Sequence, residues 1–547
     1  WGPVDQTADL REQLESNFSN ITEWLIFNHI DFDFISESLL PNQCEKGGAP
    51  LKVGVMEYDT IIIPGCQTLR STTAERLKAF QKQGGHLIVM GEIPKYIDAR
   101  PQKGELDFLK SSKCIQFEKY ALMNELEQVR EIDIRKDDGK RADHLITQFR
   151  QDGANRWLFI ANGHKPKTHD LVQPCNVKIS IKGNWIPELY DTMAGEISTL
   201  NAEYNGNKTT IKYTLYTHDS LLLHLKPGVL AENNPVIKPA LHIPSGEGFI
   251  GKVPVELSEP NVLLLDIAEY AFDGGEYQPA EEILRIGAKF RKWLGMPVEM
   301  TQPWVVPPEK PKHFVSLRFT IMSELELKDV LLAVENCEEV SIKLNNEPVS
   351  NKATGWYVDE SIKTVKLPKV VKGKNILELI IPFGKRSSIE WCYLLGDFGV
   401  KVSGFEKILT EPVRELAFGD IVPQGLPFYG GNITYKLPVT GDGRDLLVQV
   451  TNYRGALIGV TLDGERIGSI AFDPYTVRIP SLPEGEHELG LTLFGNRINT
   501  FGQLHNCDST CFWFGPNSWT TTGDRWSYEY NFKKVGILKS PFITFID

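Results

Sequence analysis

The sequence predicts a multidomain chain of the class α/β plus mainly β. A doubly wound, flavodoxin-like domain is expected first, followed by antiparallel β-sandwich or jelly-roll domains. Three observations lead to this fold class. Helical and strand patterns alternate over residues 1–125, apolar residues recur with period two from about residue 140, and one strand–turn–strand order occurs twice in the C-terminal half. A length of 547 residues also exceeds what one hydrophobic core normally supports.

The first 125 residues are predicted to form the α/β domain. The segments DTIIIP (59–64) and HLIVMG (86–91) are apolar and rich in β-branched residues, as strands buried on both faces of a parallel sheet should be. Between them lies a helical pattern that ends at Gly84-Gly85, and its apolar face contains Ala74, Leu77 and Phe80. Patterns for a helix (9–30) and two further strands (31–35 and 114–118) complete the domain.

The remainder is predicted to be mainly antiparallel β structure. Period-two segments such as RWLFIANG (156–163) and NVKISIKG (176–183) are separated by turn residues. The predicted segments are a small β domain (140–228), a linker with a strand at 261–270 and a helix at 280–295 (229–303), one β-sandwich (304–405, or from near 245) and a second β-sandwich (406–547).

A weak internal repeat supports the two sandwiches. VSIKLNNEPV (340–349) and VTLDGERIG (460–468) both have the order strand, tight turn, strand. Asp463-Gly464 suits a type I′ hairpin turn. Downstream, residues 367–381 parallel residues 479–493, because in both a glycine turn leads into an alternating apolar strand.

The composition favours some partners over others. Hydrophobic residues make up 41% of the chain and charged residues 24%, which are ordinary values for a globular protein. The net charge of −12, with acids and bases interspersed, disfavours nucleic acid or an anionic membrane as the main partner. No apolar run approaches the roughly 20 residues that cross a bilayer. We therefore expect no nucleic acid and no membrane as partner, and a neutral sugar fits this charge.

The chain opens with WGPVDQ, without an initiating Met or a signal peptide, so we expect a processed or excised chain. Secretion stays open, with a cytoplasmic location slightly favoured. The eight cysteines are too scattered for a disulfide scaffold. Cys507 and Cys511 lie close together beside His505, but this spacing is not a recognised zinc motif, and no metal or other cofactor is predicted.

Cys66 follows a buried strand and precedes a helix, which is where a catalytic cysteine sits in some hydrolases. Class I amidotransferases carry the nucleophile in G-x-C-x-G, activated by a His–Glu pair from a later strand. Here the string is PGCQT, without the second glycine, and His86 begins a strand instead. We therefore favour a scaffold role for Cys66 and keep a standalone Cys66-dependent hydrolase or amidotransferase as an alternative.

The same region resembles a known family. The string YDTIIIPGCQTL, the following helix and then FQKQGGHLIVMGEIP are similar to the amidotransferase-like domain of large bacterial glycoside hydrolases, called the β-galactosidase trimerisation domain. In those enzymes this domain follows a (β/α)₈ catalytic barrel and has lost its nucleophile. The string ELYDTMAGEI (188–197) is similar to the small β domain that comes next.

The C-terminal half contains the strings LNNEPV, GWYVD (355–359), IEWCYLLGDFGV (389–400), GLPFYGGNITY (425–435), FGNRINTFGQLH (494–505) and FGPNSWTTTGDRW (514–526). These strings resemble the galactose-binding-like jelly rolls of glycosidases related to the large α-L-rhamnosidases. Together the two resemblances imply the C-terminal part of a glycoside hydrolase, with an upstream barrel of the same protein as partner and an oligosaccharide or glycoside as ligand. They also allow a homo-oligomer.

The resemblance does not supply catalytic residues, so these stay unknown. A glycosidase needs two carboxylates that flank the scissile bond, and in this family they lie on the barrel. The sequence shows no pattern of eight βα units. We expect the acids in motif-like positions to pair with bases, cap turns or face solvent; they are Asp359, Glu360, Glu390, Asp397, Asp266, Glu269, Glu276 and Glu281.

Carbohydrate binding is the chemistry that the residues support best. Sugars present apolar C–H faces to aromatic rings and hydroxyl groups to polar side chains. The main candidates are Arg497, Asn499, His505, Trp513, Asn517, Trp519 and Trp526, with Asp524 and Tyr528 beside them. A secondary cluster contains Trp356, Tyr357, Asp359 and Trp391. In the alternative interpretation the tryptophans fill the sandwich core and the polar groups fix long loops. A binding or structural protein without an enzymatic parent is a further alternative.

Overall fold

The structure is a computed structural model, and it describes residues 4–165, 170–193, 195–230, 249–298, 305–510 and 514–546. The chain forms two compact units, Trp1–His242 and Ile243–Asp547, and each is described by itself. In the described ranges, no helix combines the length and the apolar character that crossing a bilayer requires.

Unit 1 begins with a parallel three-stranded sheet between helices. The strands, in spatial order, are Thr60–Pro64, His86–Met90 and Lys113–Ile115. The helices are α1 (Val4–Ile26), α2 (Leu40–Gln43), α3 (Ser71–Lys82) and α4 (Lys119–Leu126). Short strands accompany them at Leu51–Val53, Met56–Tyr58, Thr68–Leu69, Tyr96–Ile97 and Arg100–Pro101.

The central strand of this sheet is buried on both faces, as its apolar run predicts. Leu87 and Val89 belong to one hydrophobic cluster with α3, whereas Ile88 and Met90 belong to another with α1 and α4. The alternation of a strand therefore sends successive side chains to helices on opposite sides of the sheet. The finer prediction of a flavodoxin-like domain stays a prediction.

The strand predicted at DFDFI (31–35) does not form. Phe34 instead packs against the ring of Phe18 on α1, with 4.9 Å between centroids, and against Phe32 at 5.3 Å. The alternating aromatic residues therefore pack against a helix. An alternating pattern alone does not distinguish packing on a helix from pairing in a sheet.

Two antiparallel sheets complete unit 1. The first contains, in spatial order, Leu145–Asp152, Asn155–Asn162, Ser220–Pro227, Trp185–Asp191 and Glu196–Thr199. The second contains Glu203–Tyr204, Lys208–Leu215, Cys175–Lys182 and Ile132–Lys136. Buried residues of both sheets, such as Leu158, Leu223, Ile179 and Ile211, share one apolar core.

Unit 2 contains a β-sandwich, here called the first sandwich. One sheet contains Asn261–Leu265, Cys392–Gly396, Leu331–Glu335, Asp359–Lys366 and Gly355–Tyr357. The other contains Gln278–Glu282, Ile267–Phe272, His313–Ser323, Gly373–Phe383, Ser341–Leu344 and Glu347–Val349, joined by Glu406–Thr410 and Gly399–Ser403. One core cluster gathers residues of both sheets, and α5 (Ile283–Trp293) packs into it through Ile283, Ile286 and Phe290.

A second β region follows. Its largest sheet contains Glu415–Ala417, Lys252–Leu257, Ile433–Gly441, Gly485–Leu493, Ile458–Leu462 and Glu465–Ile470. Smaller sheets contain Thr476–Ile479, Asp445–Gln449 and Phe542–Ile546, and the pair Tyr453–Arg454 and Gly536–Ile537. The segment 498–532, which includes α6 (Ile498–Phe501), is called the C-terminal segment. Its residues Leu504, Phe501, Trp519, Tyr530 and Phe532 pack on the core of the first sandwich.

The two predicted hairpins form, with backbone angles that suit their turn residues. Asp463 and Gly464 have φ of 50° and 84°, and Asn345 and Asn346 have φ of 52° and 67°. Positive φ at both central positions is typical of the type I′ turn. The coarse prediction of mainly antiparallel β structure is therefore confirmed.

The apolar run predicted as one strand at 261–270 is divided in two. Asn261–Leu265 pairs in one sheet of the first sandwich and Ile267–Phe272 in the other, with Asp266 between them. The chain therefore crosses from one sheet to the other at Asp266, whose side chain is fully buried.

We predict that Phe290→Ala destabilises the first sandwich by about 3–5 kcal/mol, because it leaves a large cavity in a closed core. Phe290 is fully buried, with its ring 4.1 Å from that of Phe272 and 4.8 Å from that of Phe383, centroid to centroid. Urea unfolding followed by intrinsic fluorescence measures the loss. The control is Phe405→Ala at an exposed phenylalanine, which should stay within about 0.5 kcal/mol of the unmodified chain. Equal effects of the two variants would contradict the packing described here.

Candidate functional site

A cleft of about 490 Å³ opens beside α5 on the first sandwich. We call it the aromatic cleft. Its aromatic lining residues are Phe383, Trp391, Tyr393, Phe501 and Trp519, and its carboxylates are Glu335 and Glu390. The cleft thus joins one tryptophan from each of the two clusters that the sequence predicted. Concave sites lined by aromatic rings, with a few polar groups, are typical of small-ligand binding.

The aromatic wall is built from two separate parts of the chain. Trp391 and Tyr393 lie at the start of the buried strand Cys392–Gly396, whereas Phe501 ends α6. The rings of Tyr393 and Phe501 meet edge to face, with centroids 5.4 Å apart. Trp519 ends the short helix Pro516–Trp519, and its indole Nε1 donates to the carbonyl oxygen of Phe501 at 3.0 Å. This bond fixes the plane of a half-buried ring at the cleft.

The two carboxylates of the cleft carry raised pKa values. Glu335 ends the strand Leu331–Glu335, where desolvation and the like charges of Glu390 and Asp359 raise its pKa. Desolvation likewise raises the pKa of Glu390, although Ser388 donates to its Oε1 at 2.6 Å. The cleft therefore presents carboxyl groups that hold protons more tightly than free glutamate does.

Helix α5 forms the opposite wall of the cleft. Gly287 and Ala288 line it, and a Cβ at Gly287 would lie 3.7 Å from Ile389 across the wall. Arg291 also lines the cleft, but its guanidinium donates to the backbone oxygen of Ser387 and lies over the ring of Phe383. The charge of Arg291 is thus held by the protein framework.

Glu282 connects the two walls from behind. Its carboxylate accepts the backbone N–H groups of Leu284 at 3.1 Å and Arg285 at 3.0 Å, and so caps the N-terminus of α5. The same carboxylate accepts the indole N–H of Trp391 at 2.8 Å. Burial raises the pKa of Glu282 to about 7, against the effect of these donors.

The predicted binding residue Arg497 forms an ion pair with Glu259 and a hydrogen bond with Tyr357, which is also a predicted binding residue. Arg497 binds both carboxylate oxygens of Glu259, with Nη2 to Oε2 at 2.7 Å, and its Nη1 donates to the buried hydroxyl of Tyr357 at 3.3 Å. The structure therefore brings Arg497 and Tyr357 together. A bidentate pair of this kind positions both side chains strongly.

Asn499 and His505 are buried and bonded within the protein. Asn499 donates to the backbone oxygen of Lys533 and accepts its N–H, at 2.7 and 3.0 Å. His505 uses both ring nitrogens, with Nδ1 2.8 Å from the oxygen of Ser527 and Nε2 3.0 Å from the carboxylate of Asp266. These bonds fix the C-terminal segment, as the alternative interpretation of the polar residues expects.

Four other predicted residues do not line the cleft: Trp526, Trp356, Asp359 and Asn517. The half-buried ring of Trp526 is covered by the guanidinium of Arg285, with Cζ 4.3 Å from the ring centroid. Trp356 is 55% exposed on the short strand Gly355–Tyr357, and Asp359 accepts the N–H and hydroxyl of Ser361. Asn517 is exposed and Trp513 lies outside the described residues. A role of these residues in binding stays a prediction.

Sequence reasoning missed Glu282 and Glu335. Glu335 ends an apolar strand and Glu282 precedes a helix, and in both positions an acid normally faces solvent or caps a turn. A signal for Glu282 existed, because a carboxylate at the start of an amphipathic helix is favoured by the helix dipole. Its bond to Trp391 joins residues 109 positions apart, which no local pattern reveals.

Among the described residues, Cys66 has no His–Glu pair beside it of the kind that a Cys66-dependent hydrolase would need. In the parallel sheet Thr60 pairs with His86 and Pro64 with Met90, so Cys66 follows the opposite end of the sheet from His86. The imidazole of His86 is 3.1 Å from the carboxylate of Glu125 at that far end. Burial, with the nearby charge of Glu37, raises the pKa of the Cys66 thiol to about 11.

Among the described residues, no group of three or more His, Cys, Asp or Glu side chains is arranged to hold a metal ion. His505, the one histidine beside Cys507, has both ring nitrogens within hydrogen-bond distance of protein oxygens.

No protein-family model and no curated protein matches the sequence. Among solved structures, a rhamnosidase from Novosphingobium sp. PP1Y matches 93% of this chain over 36% of its own length, with 12% identity and a TM-score of 0.43. An exo-carrageenase GH42 from Bacteroides ovatus matches 39% of this chain and 26% of its own, with 19% identity and a TM-score of 0.26. A Streptomyces avermitilis α-L-rhamnosidase matches 66% and 36%, with 12% identity and a TM-score of 0.22.

These similar structures are glycoside hydrolases. The chain spans 36% of the length of the Novosphingobium rhamnosidase. At such low identity and TM-score, no residue role is transferred from them.

We predict that iodoacetamide alkylates Cys66 at pH 8 at least about tenfold more slowly in the folded chain than in urea, because the thiolate is the reactive form and a raised pKa depletes it. Peptide mass spectrometry over time measures the rate for each cysteine. The exposed Cys114 and Cys507 serve as internal controls and should differ little between the two states. Faster labelling of Cys66 in the folded chain would restore the Cys66-dependent hydrolase.

Proposed function

We propose that this chain is a non-catalytic, carbohydrate-binding part of a glycoside hydrolase, and that the aromatic cleft holds the saccharide. The main observation that supports this proposal is that Trp391 and Trp519 line one cleft together with the carboxylates of Glu335 and Glu390. Two features of the sequence support the enzymatic parent: the amidotransferase-like string around Cys66 and the jelly-roll strings that contain both tryptophans.

The chemistry of the cleft suits a sugar ring. The exposed part of a Trp519 ring held by the carbonyl of Phe501 offers a flat apolar face for the C–H bonds of a pyranose. The carboxyl groups of Glu335 and Glu390 reach hydroxyl groups at the ring edge, since each can accept and, when protonated, donate a hydrogen bond. Strands and a capped helix hold these groups, so little side-chain freedom is lost on binding.

A binding role fits the carboxylates better than a catalytic one. Glycoside hydrolysis needs one carboxyl group that donates a proton and one that stays ionised, so their environments must push the two pKa values apart. In the cleft the pKa values of Glu335 and Glu390 are both raised. Both pKa values move in the same direction, so the cleft lacks the opposed shifts that distinguish a proton donor from an ionised partner, and hydrolysis is assigned to the upstream barrel.

We predict that Trp519→Ala weakens saccharide binding about five- to tenfold, since loss of an aromatic contact removes roughly 1–1.5 kcal/mol of binding free energy. Isothermal titration calorimetry against soluble xylo-, arabino-, galacto- and rhamno-oligosaccharides measures the affinity. Trp519 also packs on the core of the first sandwich. Trp519→Phe, which retains most of the packing, should therefore bind with intermediate affinity, and thermal melts identify any variant that fails to fold.

Two further variants make this test discriminating. Phe405→Ala removes an exposed aromatic outside the cleft and should bind like the unmodified chain. Trp356→Ala removes the exposed tryptophan of the secondary cluster. If Trp356→Ala abolishes binding and Trp519→Ala does not, the saccharide site lies at the secondary cluster and the proposed cleft is wrong.

We predict that the 547-residue chain does not turn over a panel of nitrophenyl glycosides, because the family's two catalytic carboxylates are expected on the barrel. Release of nitrophenol, measured by absorbance, is the readout. Glu335→Gln and Glu390→Gln chains are assayed beside it. Turnover that either substitution abolishes would show that this chain itself is catalytic.

A further inference from the structure

We propose that Glu282 is a positioning residue that makes saccharide binding by the aromatic cleft depend on pH. This inference rests on the proposed function of the cleft. Glu282 does not line the cleft, yet its carboxylate bonds to both walls: to the indole of Trp391 on one side and to the first turn of α5 on the other.

Three N–H groups of the described residues donate to the carboxylate of Glu282. The residue is fully buried, and its Oε1 accepts from Trp391 and Leu284 while its Oε2 accepts from Arg285. An ionised carboxylate satisfies three donors at once, because both oxygens are acceptors. The positive end of the α5 dipole favours this anion as well.

Protonation disturbs the same three bonds. A protonated carboxyl group turns one oxygen into a donor, which faces N–H donors and gains no acceptor among the contacts of Glu282. One of the three bonds must then weaken. Because two of them order the start of α5 and the third orders Trp391, either outcome moves a wall of the cleft.

The charges around Glu282 determine where it titrates. From the sheet crossover, Asp266 faces it with a buried carboxylate that is bonded to Lys407 and to His505. From the C-terminal segment, Tyr530 bonds to Asp266. On its own side, the neighbouring Glu281 is bonded to Lys289 and Tyr528 and lies 3.6 Å from the side chain of Arg285.

Asp266 and Glu281 each have a lysine partner, whereas Glu282 has no cation within ion-pair distance in the described chain. Its burial, and secondarily the charge of Asp266, raise the pKa of Glu282 to about 7 against the bonds that favour ionisation. The carboxyl is therefore ionised above neutral pH, where Trp391 and α5 are held, and protonated below it, where the cleft loosens. Saccharide affinity should fall as pH drops through neutrality.

The first experiment observes Trp391 without any ligand. The protein is labelled with 5-fluorotryptophan, and the Trp391 resonance is assigned as the one absent from Trp391→Phe. Fluorine NMR from about pH 5.5 to 8.5 should show this resonance shifting with a midpoint near the raised pKa of Glu282. In Glu282→Gln, which retains one oxygen acceptor and the side-chain size, the resonance should not titrate.

The second experiment measures binding of the tightest oligosaccharide from the calorimetric panel at both ends of this pH range. We expect affinity to fall about fivefold from high to low pH, as partial loss of one hydrogen bond predicts. Glu282→Gln should show an affinity that does not change with pH. Thermal melts confirm that each variant is folded.

The outcomes separate this inference from the proposed function. A Trp391 resonance that does not titrate, or that still titrates in Glu282→Gln because another group is the source, overturns the inference while saccharide binding persists. A titrating resonance with pH-independent affinity also overturns it. Absence of saccharide binding at every pH, with the resonance still titrating, overturns the proposed function and the control of the cleft with it.

Discussion

The buried carboxylate of Asp266 is the constraint on which unit 2 depends. It lies where the chain leaves one sheet of the first sandwich for the other, and it is fully buried. Lys407 at 2.6 Å, Tyr530 at 2.7 Å and His505 at 3.0 Å hold it. Burial opposes ionisation of Asp266, but Lys407 and His505 outweigh it and lower the pKa to about 2. Such a charge stays buried only while all its partners remain, and removal of one partner from a buried pair typically costs about 3–5 kcal/mol.

The position of the cleft follows from this crossover. The backbone oxygen of Asp266 accepts the N–H of Ile283, so the start of α5 is tied to the point where the chain changes sheets. Glu282 then completes the cap and binds Trp391, and His505 draws the C-terminal segment, with Trp519, onto the same core. The position of the aromatic cleft thus follows from the contacts that surround the buried carboxylate of Asp266. The two walls of the cleft are coupled because Trp391 and the start of α5 are both hydrogen-bonded to Glu282.

Local patterns predicted the helices and strands well where each element has one apolar face that packs on a single core. The helix expected at 280–295 is α5 (Ile283–Trp293), and the Asp463-Gly464 turn has the positive φ angles of its type. Prediction failed where an apolar run serves two sheets. The run 261–270 looks like one strand, and only the buried Asp266 within it marks the break. For the candidate site, Trp391 and Trp519 were identified by type, whereas Glu335 and Glu282 were not, because their partners are distant in sequence.

The sequence by itself determined the mainly β class, the α/β start and the richness of the C-terminal half in aromatic and polar residues, since periodicity and turn chemistry are local properties. The tertiary structure decided which of those residues could meet a ligand. Asn499 and His505 have polar side chains suited to sugars, yet both side chains are hydrogen-bonded within the protein. Part of the Trp519 ring, in contrast, lines the aromatic cleft. Whether a side chain is hydrogen-bonded within the protein or exposed to a ligand depends on groups brought together from distant parts of the chain. That is a property of packing, which no local pattern contains.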